Sequence, residues 1–546
     1  MISRLFYLLY LIAFSIIGSG QPITLDEEFS DWEDDRIAIT EDIGDVTSGV
    51  DIQRLGITDS RDYIYFLIEF DREVQLQDAN QFSLQIANNG ITLFFSFGER
   101  TGTLNGNRVF HNDIGLVASP TVTSSIFEIQ LSKVWGDDFF NHTASGDIEV
   151  RILDNRQDGD ELPNNNTFLN YELSQSTAGA MPTFRLSQEI ESDFRVCSYN
   201  VLNDRLFAPD AFDAYQRIFT AIQADIYVFQ EIRDFDDEET LTRLFNVYGV
   251  LDPSFEWFAR KRGPDNVIIS KYPIVFSRDI GGNGLFIINR EGQDILVVNV
   301  HFPCCENDFE REQEIDILLA FIRDSRNGLT NLRLEADTPI IIAGDTNFVG
   351  LSSQVRAILE GDIFNNFDNG DDFNPDWDAS PLVDAKAFAT GTPTLTTWRN
   401  DRGSFFPGRL DYCFYSNSVL EEINAYSLDT RNLSLDLLQQ NGLSLFDTED
   451  ASDHYPIVVD FSIKTSTSTK DFLSSKYKIG PNPVQDHLSI SNLNPGDHII
   501  VLDINGNMMT QGEQNLIDVS DWASGIYLVQ ILDNRELVYV DKVVVF

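Results

Sequence analysis

Between Phe194 and Ile463, apolar stretches lead again and again into a short polar segment. These are Ser198-Tyr199-Asn200, Gln230-Glu231, Asn299-Val300-His301, Gly344-Asp345-Thr346-Asn347 and Ser452-Asp453-His454. The runs before four of them, Phe194 to Cys197, Ile226 to Phe229, Ile295 to Val298 and Pro339 to Ala343, have the composition of strands buried on both faces. A chain so patterned is expected to lay these strands side by side, so that their polar ends converge at one edge of a sheet. Arg409-Leu410-Asp411-Tyr412 adds a sixth piece. Helical stretches alternate with the strands; from Glu312 to Arg323, Ile315, Leu318, Leu319 and Ile322 fall on one face. The region is therefore a layered α/β or α+β domain.

At 546 residues the chain exceeds one ordinary core. Five segments are expected: an export signal at 1–20, an all-β sandwich at 21–188, the central domain at 193–463, a Ser/Thr/Lys-rich linker at 464–476 and a small all-β tail at 477–546. The first has a basic start at Arg4, an apolar stretch from Leu5 to Ile17, and Gly18-Ser19-Gly20 before Gln21. It is short for a spanning helix, and no other segment is apolar enough to span, so no stable membrane span is expected. The sandwich is expected from short alternating strands such as Tyr63 to Ile68, Ile91 to Phe95 and Ile148 to Ile152.

The formal net charge of -49 excludes a basic protein that coats nucleic acid. It does not exclude a polyanionic substrate, because screening acts over about 8 Å at physiological ionic strength and a metal with a few local cations can meet the phosphate. Four cysteines make disulfides unimportant to the fold; Cys197 and Cys413 lie in apolar runs, and Cys304 and Cys305 are adjacent.

Taken together in this order, the six segments resemble the endonuclease/exonuclease/phosphatase superfamily, related to DNase I. That resemblance implies a four-layer α/β sandwich with its site at one edge of two packed sheets. It implies Glu231 as principal metal ligand, with Asn200 and Asp453 beside it, and Mg²⁺ as the ion, with Mn²⁺ or Ca²⁺ as substitutes or additional ions. Asp345 would orient or deprotonate the water, Asn347 would hold the nucleophile or a phosphate oxygen, and His454 would meet the scissile phosphate or share the base role. Asp411 would fix the ring of His454, and His301 would serve the departing or a non-bridging oxygen. Only two histidines lie between Phe194 and Ile463, and each falls in one of these segments.

Asn266, in Asp265-Asn266-Val267-Ile268-Ile269-Ser270-Lys271-Tyr272-Pro273, also matches a family stretch and is expected at phosphate or as a turn cap. Arg260, Lys261 and Arg262 are either a phosphate contact or a solvated loop, and Trp398 fits a position near the substrate groove. The acidic run Asp234 to Glu239 is expected to be a solvated loop.

The tail, with Gly480-Pro481-Asn482-Pro483, Gly525-Ile526-Tyr527-Leu528-Val529 and Lys542-Val543-Val544-Val545-Phe546, resembles the C-terminal sorting domain of the type IX secretion system in Bacteroidota. It implies that machinery as a partner and a secreted or cell-surface location. The opening of the sandwich, with Asp31-Trp32, Asp45 and Asp51, resembles carbohydrate-binding-like modules of secreted enzymes and implies a glycan ligand. Asp154, Asp158, Asp160 and Glu161 offer calcium-type oxygens or an acidic turn.

The expected activity is a secreted metal-dependent phosphoesterase, an endonuclease on extracellular nucleic acid. The alternatives are a phosphatase or phospholipase-C-like hydrolase of sphingomyelinase or phosphoinositide type, and a catalytically inactive surface glycan-binding protein.

Overall fold

The computed structural model describes residues 23–32, 36–41, 49–78, 80–136, 141–174, 182–464, 477–494, 496–503, 507–533 and 536–546. The expected signal at 1–20 and the linker after Lys464 lie outside these residues. Described residues up to Lys464 form one compact unit and those from Tyr477 a second.

Two six-stranded sheets make the centre of the first unit. One runs in the order Phe258–Arg262, Asn266–Ser270, Ile226–Gln230, Phe194–Asn200, Ile457–Ile463, Leu420–Ser427. The other runs Ile274–Ile280, Asn283–Arg290, Gln293–His301, Ile340–Asp345, Asp411–Tyr415, Val383–Asp384. Each sheet contains one parallel pair, Phe194–Asn200 with Ile226–Gln230 and Gln293–His301 with Ile340–Asp345; their other pairings are antiparallel.

The apolar runs fail to alternate because both strand faces are covered. Phe194, Val196, Ile226, Val228, Ile295, Val297, Ile341 and Ala343 meet between the sheets. Cys197, Tyr199, Tyr227 and Phe229 face outward onto helix Phe212–Ile222, while Leu296, Val298, Ile340 and Ile342 face helices Asp308–Arg326 and Ser352–Glu360. The result is the expected four-layer sandwich. Helix Asp308–Arg326 begins four residues before the expected start and buries Ile315, Leu318, Leu319 and Ile322. Arg195, the one charge in its strand, is fully buried in a two-pronged pair with Asp460 at 2.6 and 2.8 Å, so its charge is met inside the protein.

The N-terminal sandwich packs a five-stranded against a seven-stranded sheet around Phe66, Phe82, Phe95, Ile148 and Trp135. Asp154 and Asp160 are buried. Asp154 pairs with Arg156, and Asp160 accepts from the Ile52 and Glu161 amides at 2.6 and 2.8 Å, so these two carboxylates are buried and bonded rather than part of a solvated turn.

The acidic run differs from expectation as well. Asp236 caps helix Asp237–Thr242, accepting from the Glu239 amide at 2.8 Å while the Glu239 carboxylate accepts from the Asp236 amide at 2.9 Å. Carboxylates at a helix N-terminus meet its unpaired amides and the positive end of its dipole.

The second unit is a small β-domain of a three-stranded and a four-stranded sheet around Val484, Leu488, Val501, Val529 and Val543. Among the described residues no helix is long and apolar enough to cross a membrane.

Candidate active site

Strand register brings the polar segments together. Asn200 lies opposite Gln230 in one sheet, and His301, Asp345 and Asp411 lie in one row across three strands of the other. The Gly-Asp order at the end of Ile340–Asp345 has a steric cause: Gly344 has φ +149, and a Cβ there would stand 2.0 Å from the Val300 carbonyl oxygen. Only glycine lets the two strands stay paired up to Asp345. Leu202, Asn203, Asp204, Glu231 and Asn347 adopt left-handed backbone conformations, φ between 48 and 65°. Such conformations cost energy in non-glycine residues and recur where side chains must be aimed at a site.

The two sheets meet through Asn200, whose Nδ2 donates to Asp345 Oδ2 at 2.8 Å and reaches Glu231 Oε1 at 3.3 Å. Its Oδ1 accepts from the Leu202 amide, so this side chain turns its amide N–H toward the two carboxylates. Asp345 Oδ2 stands 3.7 Å from Nε2 of both His301 and His454. Each imidazole has its own carboxylate behind it: Nδ1 of His454 bonds Asp411 Oδ2 at 2.9 Å, and Nδ1 of His301 bonds Asp265 Oδ2 at 3.0 Å. The Asp345 Oδ1 atom accepts from the Asn347 amide at 3.0 Å.

Burial lowers the proton affinity of both rings, yet the surrounding carboxylates outweigh it. His301 is held up to about 8, chiefly by its Asp265 bond and by Asp345. For His454 the value is about 10, through Asp411 and Asp345. Burial also raises Asp345 above the usual carboxylate range, opposed by His454.

Asp411, His454, Asp345, Glu231, Asn200 and His301 thus form one constellation. Asp453 joins through Trp398, whose Nε1 donates to its Oδ2 at 3.2 Å. The other expected residues make contacts within the chain. Asn347 Nδ2 donates to the Phe302 carbonyl at 2.9 Å, which fixes the loop after His301. Asn266 is buried and donates to the Gly282 carbonyl at 3.1 Å. Lys261 is spent on the Arg233 and Phe235 carbonyls, both at 2.8 Å, and Arg260 lies 3.8 Å from Asp237. Arg262 donates to the Lys261 carbonyl.

Sequence reasoning passed over Asp265, Arg233, Asn283 and Glu314. Asp265 does for His301 what Asp411 does for His454, and it sits directly before Asn266 in a stretch already singled out. Arg233 lies 3.9 Å from Glu231 and 3.7 Å from Asp265 and is half exposed. Asn283 accepts from the His301 amide at 2.8 Å and donates to Glu314 at 2.7 Å. No local pattern marks either residue of that last pair.

The donor set suits a hard divalent cation. Five carboxylates, Glu231, Asp265, Asp345, Asp411 and Asp453, face two imidazoles and Arg233, which leaves two negative charges unmet even with both rings protonated. Buried Oδ1 atoms of Asp411 and Asp453 have no hydrogen-bond partner. All are oxygen ligands of the kind Mg²⁺ or Ca²⁺ takes. Asp345, Asp411 and His454 present ligand atoms within 4.8 Å of one another. With His454 Nδ1 bonded to Asp411, its Nε2 is the ring atom left facing Asp345.

An Asp265→Asn variant of the metal-free protein is expected to drop the proton affinity of His301 from about 8 to 6.5 or below, because burial then acts with less opposition, while His454 stays near 10. A folded value above the unfolded one gives stability that is complete below pH 6.5 and lost as pH rises through about 8. The variant should lose that component of its pH-dependent stability. Histidine NMR titration with parallel melting curves checks both; an unmoved His301 value would refute the assigned cause.

Residues 197–454 match the model of the Endonuclease/Exonuclease/phosphatase family, and residues 478–546 match that of the Secretion system C-terminal sorting domain. No curated protein matches the chain. Among solved structures, it is similar to a humanised D. rerio TDP2 carrying 14 mutations, with 15% identity, 49% of this chain and 98% of that one covered, and a TM-score of 0.32. The human Nocturnin catalytic domain with bound sulfate gives 17% identity, coverage of 51% and 96%, and a TM-score of 0.31. Sphingomyelinase C from Streptomyces griseocarneus gives 17%, 49% and 98%, and 0.30.

Proposed function

We propose that this chain, whose central domain is of the endonuclease/exonuclease/phosphatase family and whose tail is a secretion sorting domain, is an exported, divalent-cation-dependent hydrolase of phosphodiester bonds in nucleic acid. The observation that carries the reading is Asp345, set 3.7 Å from two imidazoles and joined through Asn200 to Glu231. Hydrolysis needs an oriented water, compensation of charge on the phosphoryl oxygens and a proton for the departing oxygen.

Glu231 and Asp453 would hold the cation, with Asn200 bridging Glu231 to Asp345. When bound, the cation supplies Lewis acidity and offsets the charge of the phosphoryl group. Asp345 receives the proton of the water. His454, kept protonated by Asp411, compensates charge on the phosphate, and His301, backed by Asp265, serves the departing oxygen. Arg233, half exposed beside Glu231, would meet a phosphate oxygen.

Supercoiled plasmid, single-stranded RNA, p-nitrophenyl phosphate and sphingomyelin vesicles, each with Mg²⁺ and with EDTA, separate the substrate classes. Cleavage of plasmid or RNA with Mg²⁺ alone is expected. Intact nucleic acid beside turnover of the monoester or the lipid would replace the nuclease reading with the phosphatase or phospholipase-C-like one. Export through the type IX machinery predicts the protein outside the cell, and its retention inside when residues 477–546 are deleted.

A further inference from the structure

The N-terminal sandwich and the active site share one stretch of chain. Segment Thr397–Arg399 is stitched on one side to the residues around His454: the Tyr455 amide donates to the Thr397 carbonyl at 2.6 Å and the Arg399 amide to the Asp453 carbonyl at 2.9 Å. On its other side it pairs with Gly408 through Trp398, at 3.0 and 3.1 Å. The Thr397 hydroxyl oxygen accepts from the amides of Leu410 and Asp411, at 3.0 and 2.9 Å. Asp411 and His454, which bond each other, are thus held by the same three residues.

The turn closing this hairpin is planted in the other fold. Phe406 is 1% exposed and belongs to the hydrophobic core of the sandwich, with its ring centroid 5.6 Å from that of Phe95 and 6.3 Å from that of Phe97. Its amide donates to Gln77 Oε1 at 2.7 Å, and the Arg409 amide to Thr121 Oγ1 at 2.9 Å. The approach is close enough that a Cβ on Gly408 would stand 2.9 Å from the same Thr121 oxygen.

A second clamp grips the chain just after Asp345 and Asn347. The Thr123 amide donates to the Gly350 carbonyl at 2.8 Å, the Ser352 amide to Thr123 Oγ1 at 3.1 Å, and the Gln75 amide group to the Val349 carbonyl. Apart from the isolated bridges Trp398 makes with Gly408 and His454, the gripped backbone before helix Ser352–Glu360 belongs to no strand or helix, so the partners of its polar groups decide where it sits.

We propose that the N-terminal sandwich is a positioning element of the active site, holding the Asp411–His454 pair in place through the Trp398–Arg409 hairpin, with Phe406 as its anchor. The inference rests on the catalytic reading of that pair given above. Phe406 touches no substrate; it acts through the hairpin. Removing its ring leaves a cavity in the sandwich and frees the turn, and displacement of a catalytic group by about 1 Å can cost about 100-fold in rate.

The test compares full-length Phe406→Ala with Leu162→Ala, a fully buried residue of the same sandwich core on strand Glu161–Leu162. Both are assayed on plasmid with Mg²⁺ well below their melting temperatures. Phe406→Ala is expected to lower kcat about 10- to 100-fold with KM within about twofold, and to speed amide exchange at Leu410, Asp411 and Tyr455. Leu162→Ala should lower Tm and leave kcat and those amides unchanged. Equal kcat and unchanged exchange in Phe406→Ala would overturn the proposal, as would an equal fall in both variants.

If Phe406→Ala does not fold, Thr121→Val removes the acceptor of the Arg409 amide while keeping the side-chain shape. It is judged by the same two readouts against the same control. Should the wild-type protein cleave no phosphodiester, the catalytic reading fails; the exchange comparison still decides whether the sandwich holds the hairpin.

Discussion

His454→Ala is expected to lower kcat for phosphodiester cleavage by about 10²- to 10³-fold, the scale of removing one donor that compensates charge in the transition state. The ring is almost fully buried, bonded through Nδ1 to Asp411 at 2.9 Å and aimed through Nε2 at Asp345, 3.7 Å away. Its proton affinity, raised to about 10 by Asp411 and Asp345 against burial, makes it a cation at neutral pH in the metal-free protein. That charge suits the part proposed for it, compensating charge on the phosphate. The proton of the water is assigned to Asp345, whose carboxyl burial raises and His454 lowers. Asp411→Asn combined with His454→Ala should cost little more than the single change, because Asp411 works through the ring. Single-turnover rates on a defined oligonucleotide measure the effect. Wild-type turnover in His454→Ala would remove this residue from the mechanism.

Glu231→Gln is expected to abolish the response to Mg²⁺. In the wild-type protein, cation at 100 times its Kd should add about 2.7 kcal/mol to stability, since an ion that binds only the folded state stabilises it by mass action. Replacing the carboxylate by an amide of the same shape removes the charge that draws the ion, while the Asn203 amide keeps an acceptor for the bond it makes at 2.6 Å. The variant should melt at the same temperature with Mg²⁺ and with EDTA, and its turnover should fall by about 10³-fold, the scale of losing one strong electrostatic contribution to the transition state. Calorimetry across a Mg²⁺ titration reads the first effect independently of any substrate. An undiminished Mg²⁺ shift in Glu231→Gln would place the ion elsewhere.

Much of this site was legible in the amino-acid sequence because strand geometry is local. An apolar run covered on both faces has to end where its cover ends, and a polar residue at that point has to lie at the sheet edge; Asn200, Glu231, His301 and Asp345 follow from that alone. Asp265 was not legible as the partner of His301, since the two belong to different sheets and meet only where these pack together, and a lone aspartate before an asparagine resembles any turn. The cationic group was legible as charge and not as function. Lys261 donates to two carbonyls of the chain at 2.8 Å, an arrangement no local pattern announces.

The stretch from Trp398 to Arg409 reads as an ordinary polar loop with two phenylalanines. Its reach into a core formed by residues more than two hundred positions earlier has no periodic trace. The sequence by itself determined the strands, their polar ends and the kind of atoms gathered there, because burial and backbone pairing act on near neighbours and leave a repeating mark. Only the tertiary structure decided which carboxylate backs which imidazole, which cation stands beside Glu231, and that a second fold holds the Asp411–His454 pair. Those outcomes depend on distances between segments remote in the chain, which packing sets and no local pattern records.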